Sequence, residues 1–65
     1  MASGDRSEPD EVYFELTALG GSMKVAAIDA ATGTEVTVIG PARASEADLK
    51  RLALQKLKAR LQTDS

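Results

Sequence analysis

The sequence predicts an α+β fold, a three-stranded antiparallel β-meander packed against one C-terminal α-helix. Three observations predict it. Apolar and polar residues alternate over Glu11–Leu19 and again over Ser22–Asp29, the period of a half-buried strand. Gly20-Gly21 and the run Asp29–Thr34 punctuate these stretches with turn residues. Ser45–Gln62 runs for 18 residues without Gly, Pro or a β-branched side chain and is rich in strong helix formers.

Residues 1–10 hold Gly, Ser, Pro and charges with almost nothing apolar, so a disordered lead-in is expected. One domain over 11–62 follows, with a short tail over 63–65. In Glu11–Leu19, Val12, Phe14, Leu16 and Ala18 share one side, and Glu11, Tyr13, Glu15 and Thr17 the other. Gly20-Gly21 suits the positive φ of a tight hairpin. In Ser22–Asp29, Met23, Val25 and Ala27 share a face, and Lys24, Ala26 and Ile28 its opposite. A two-residue turn sets Leu16 against Val25, Phe14 against Ala27 and Tyr13 against Ile28, so the apolar faces coincide.

Asp29–Thr34 forms the second turn, with Asp29 suited to bonding its own downstream backbone and Gly33 to the left-handed conformation. Glu35–Ile39 is the third strand, rich in β-formers. A four-residue loop Ala30–Gly33 opposes Val36 to Ala27 and Val38 to Val25; a three-residue loop pairs Ile28 with Val36 instead. Gly40-Pro41 stops the strand, since proline cannot donate to a ladder. Ser45 is the N-cap of the helix, and Asp48 three residues on suits a variant of the capping box. Lys58 and Arg60 sit in the predicted last turn, where cations suit the helix dipole. The predicted core is Val12, Phe14, Leu16, Met23, Val25, Val36 and Val38 from the sheet, faced by Leu49, Leu52, Ala53 and Leu57.

A chain of 65 residues holds one domain and buries only about 60% of its unfolded surface. It has neither cysteine nor histidine, so disulfides and the commonest metal ligands are missing; no cofactor is expected. No apolar run is long enough to span a membrane, and the polar N-terminus lacks the order of a signal peptide, so a cytoplasmic setting is expected. Net charge is −2, divided as −5 over residues 1–35 and +3 over 36–65. An acidic sheet beside a basic helix accounts for this, and so does a nucleic-acid partner.

No catalytic apparatus is legible. A nucleophilic Ser or Thr needs a neighbouring base, and the serines fall in the lead-in, a turn, a cap and the terminus. Carboxylate pairs need enclosure to split their pKa values, and the acids here fall on turns, solvent positions or the lead-in. No small-molecule substrate is evident, and the chain is read as no enzyme.

The apolar pattern is the stronger clue. With Leu49 at 0° and 100° per residue, Ala53 falls at about 40°, Leu57 at about 80°, Leu61 at about 120°, Leu54 at about 140° and Leu52 at about 300°. That arc is wider than one small sheet needs. Either Leu54 and Leu61 lap over the sheet edge, or Leu54, Leu57 and Leu61 contact a second chain. Tyr13, Ile28 and Ile39 on the far face of the sheet are a second candidate contact. The leading expectation is a non-catalytic protein–protein interaction module, as a homodimer or docked on a larger protein. The alternative is a nucleic-acid-binding accessory domain, with Lys50, Arg51, Lys56, Lys58 and Arg60 touching phosphates.

The runs Glu11-Val12-Tyr13-Phe14-Glu15, Val25-Ala26-Ala27-Ile28-Asp29, Ala31-Thr32-Gly33-Thr34-Glu35-Val36 and Gly40-Pro41-Ala42 resemble a family of small uncharacterised bacterial proteins, chiefly alphaproteobacterial. The resemblance covers residues 11–61 and lies in turn and strand signatures. It implies a single domain of this length and brings no activity and no site residue.

Overall fold

The computed structural model describes Pro9 and residues 11–64; Pro9 apart, the expected lead-in over 1–10 lies outside the described residues, as does Ser65. Alternation produces two strands where it is strictest, β1 (Val12–Leu19) and β2 (Ser22–Asp29). They pair antiparallel with Leu19 opposite Ser22, Leu16 opposite Val25, Phe14 opposite Ala27 and Tyr13 opposite Ile28, as the two-residue turn predicts. Within that turn Gly20 takes φ +59° while Gly21 has no positive φ. A positive φ at the first central position alone is the primed turn that demands glycine there, and its twist matches that of the strands it joins.

The third strand, β3 (Glu35–Pro41), pairs antiparallel with β2, giving the order β1-β2-β3. Val36 opposes Ala27 and Val38 opposes Val25, so the four-residue loop is correct and the pairing of Ile28 with Val36 is not. The loop closes on Asp29. Its main-chain oxygen accepts from Gly33 N at 2.7 Å, and its N–H donates to Thr34 O at 2.8 Å. The Asp29 carboxylate accepts the Thr32 hydroxyl at 2.7 Å, and Gly33 takes φ +78°.

The strand does not stop before Gly40-Pro41, as expected, but includes both. Ala42 N donates to Gly21 O at 2.8 Å, which makes Ser22–Pro41 a non-hydrogen-bonded pair. The proline nitrogen therefore faces away from β2, and the ladder loses no donor.

The helix, α1 (Glu46–Asp64), begins at the expected cap. Asp48 N donates to Ser45 Oγ at 3.2 Å, and Leu49 N donates to Ser45 O at 3.1 Å. The Asp48 carboxylate does not complete a reciprocal box; it holds Arg51 at 3.2 Å. The helix runs on through Thr63 and Asp64, expected as tail, which leaves no base in the last turn. The predicted dipole match of Lys58 and Arg60 is lost with it.

The helix packs over β2 and β3 and barely reaches β1. The core joins Val25, Ala27 and Val36 to Leu49, Ala53, Leu57 and Leu61, with Val12, Phe14, Leu16, Met23, Val38 and Ala44 packed partly against it. The four helix residues are each four apart, a single ridge of the helix surface. Leu52 lies off that ridge and is 53% exposed, so its place in the predicted core is corrected, and Leu61 takes it. A Cβ on Gly40 would lie 2.7 Å from Leu49 Cδ2. This bare backbone is the seat that lets the first turns of the helix settle on the end of β3.

Candidate interaction surface

The two edges of the sheet are finished differently. Pairing alternates from the Ser22–Pro41 pair, so Thr37 turns its main chain away from β2, toward the free edge. There Lys56 Nζ donates to Thr37 O at 2.9 Å. A lysine reaching over an edge carbonyl blunts it against pairing. Beside this contact lies an open depression of about 290 Å³ lined by Val36, Lys56, Ala59, Arg60 and Thr63.

Among the described residues the β1 edge has no such cover. Ala30 N donates to Glu11 O at 3.1 Å, which makes Val12–Asp29 a non-hydrogen-bonded pair. Tyr13, Glu15, Thr17 and Leu19 therefore bond to β2, and Val12, Phe14, Leu16 and Ala18 point their N–H and C=O groups outward. Among the described residues nothing bonds to them. The side chains of Val12, Phe14 and Leu16 stand on the helix side of the sheet and are only half-buried, because the helix sits over the other two strands. Lys50 Nζ lies 5.7 Å from the centroid of the Phe14 ring and 3.3 Å from Glu46. That contact identifies the helix flank beside β1 as Lys50, Leu54 and Lys58, all half-buried.

The six residues expected to meet a partner do not form one patch. Leu57 and Leu61 are buried in their own chain and are withdrawn as contacts: the ridge that carries Leu49 and Ala53 winds by about 40° every four residues and brings both onto the sheet. Leu54 remains on the β1 flank. On the far face, Tyr13 and Ile28 are directly paired. Ile39 is 64% exposed but lies opposite Lys24, at the other end of the sheet. Between them Ala26 is buried, flanked by Glu15 and Thr37. Tyr13 is exposed, and hydrogen bonding and charge from neighbouring Glu11 hold the phenol above its ordinary pKa.

The five candidate phosphate contacts scatter as well. At 100° per residue, Lys50, Arg51, Lys56, Lys58 and Arg60 spread round most of the helix circumference. Lys50 and Arg51 pair with acids of their own helix, and Lys56 covers the β3 edge. No basic stripe results. Asp29, fully buried, is the polar residue that the sequence places in a turn without disclosing its burial; its acceptor contacts tie the second hairpin together. Among the described residues no group of three His, Cys, Asp or Glu side chains could hold a metal ion. No helix is long and apolar enough to cross a membrane.

Residues 9–64 match the model of a family described as Domain of unknown function (DUF6898). No curated protein and no solved structure matches the chain.

Proposed function

The chain belongs to the DUF6898 family, and from that premise we propose that it is a non-catalytic protein–protein interaction module whose contact is the β1 side of the sheet. One observation carries this reading. The residues whose main chain is open at the edge, Val12, Phe14 and Leu16, also hold the apolar side chains that the helix leaves half-covered. Strand addition uses main-chain bonds for affinity and alternate side chains for specificity, and β1 offers both along one line. Leu54 borders it and supplies apolar surface from the helix. An alphaproteobacterial source is part of the proposal and rests on the resemblance of the strand and turn signatures; a cytoplasmic setting is part of it too and rests on the composition of the sequence.

The test is capture from native lysate with the wild-type chain and with Leu16→Lys, each with and without nuclease. Lysine is the residue that natural edges use against pairing, and its stem can lie along the apolar strip. Circular dichroism checks that the variant folds. Protein held by the wild type, lost by Leu16→Lys and indifferent to nuclease supports the reading. Equal retention by both chains, or material that leaves with nuclease and with rising salt, refutes it and favours nucleic acid.

A further inference from the structure

We propose that the occupant of the β1 side is a second copy of this chain, paired antiparallel through β1 with Phe14 of both copies on the two-fold axis. The inference rests on the reading of β1 as the contact. Antiparallel pairing of one strand with itself closes after two copies, joining the sheets into one of six strands with both helices on the same side.

The register follows from which groups point outward. Within β1, Val12, Phe14, Leu16 and Ala18 present main-chain bonds at the edge, so these must oppose one another. An axis at Tyr13 sets Glu11 opposite Glu15, and an axis at Thr17 leaves Phe14 opposite Gly20, so the axis is left to Phe14, Glu15 or Leu16. An axis at Glu15 sets the two Glu15 carboxylates directly opposite in a non-hydrogen-bonded pair, where strands approach closest and like charges oppose pairing. An axis at Leu16 leaves Val12 opposite Gly20, which has no side chain, and Phe14 opposite Ala18. An axis at Phe14 opposes Val12 to Leu16 of the other copy and Phe14 to Phe14. Each of these pairs exchanges both main-chain bonds, and the three half-covered side chains pack against their equivalents. On the far face Tyr13 then opposes Glu15 of the other copy, a hydroxyl against a carboxylate, and Glu11 opposes Thr17. The nearest carboxylates across the seam are diagonal, about 7–8 Å apart, so salt strengthens this dimer by screening them.

Sedimentation of the full chain from low micromolar to millimolar concentration reads the association, and a spin label reads the register. The chain has no cysteine, so Leu19→Cys, at an exposed position, takes a single label. With the axis at Phe14 the labelled residues of the pair lie about ten residues apart along the strands, roughly 34 Å; with the axis at Leu16 they lie about six apart, roughly 20 Å. A doubled mass that reverts to monomer in Leu16→Lys, with the longer distance, is the expected result. The shorter distance overturns the register. Monomer at every concentration, or a dimer indifferent to Leu16→Lys, overturns self-pairing; the capture experiment reads separately whether another protein uses the edge.

Discussion

Truncating Leu57 to alanine and truncating Leu52 to alanine remove the same atoms from the same helix, and the structure assigns them opposite consequences. Leu57 is 0% exposed at the centre of the helix–sheet contact, whereas Leu52 is 53% exposed. A buried leucine cut to alanine loses its transfer free energy and leaves a cavity, for a cost of about 3 kcal/mol. At about 0.05–0.15 kcal/mol per residue, a domain of 65 residues holds about 3–10 kcal/mol in all. Leu57→Ala therefore removes between a third and nearly all of it. An unfolding entropy of about 2.1 cal/mol/K per residue converts that loss into a fall in Tm of about 20 °C. Leu52→Ala leaves no cavity and substitutes the better helix former, so its effect stays within about 0.5 kcal/mol. Thermal and urea unfolding followed by circular dichroism measure both, at one fixed protein concentration because the proposed self-association would shift apparent stability. Equal losses, or a larger loss for Leu52→Ala, would refute the placement of the helix ridge.

Two further predictions concern the first hairpin and the β1 face. Gly20→Ala forces a side chain into the left-handed region and costs about 1–2 kcal/mol, while Gly21→Ala stays within about 0.5 kcal/mol; urea midpoints that fall equally for both would contradict the turn geometry. Tyr13 is the single tyrosine, so ultraviolet absorbance titrates it alone. Because Glu11 raises its pKa, the fold favours the neutral phenol, and that contribution is present below the unfolded pKa of about 10 and lost as pH rises through the higher folded value. Glu11→Gln removes the charge and moves the midpoint down; an unchanged midpoint would show that the contact does not form in solution.

Much of the fold is legible because its determinants are local. Strict alternation fixes which side chains share a face, and Gly20-Gly21 fixes the turn length, so the register from Val12 to Asp29 follows from counting. The helix is equally local: Ser45 caps it, and nothing within it breaks it. Its end is less so, since Thr63 and Asp64 continue the helix where β-branching and polarity suggest a tail; the Thr63 hydroxyl donates back to Ala59 O at 3.0 Å.

The proposed contact surface was not legible in the same way. The sequence by itself determined a meander and one amphipathic helix, down to the pairing of individual residues. Only the tertiary structure decided that the helix lies over β2 and β3, that Leu57 and Leu61 belong to the core, and that β1 keeps its edge. Periodicity states which residues lie together on a helix, but the line along which that helix meets the sheet depends on contacts between distant segments. Here Gly40 leaves room for Leu49, and Lys56 reaches the Thr37 carbonyl. Both contacts hold the helix toward β3, and neither is encoded within a single element.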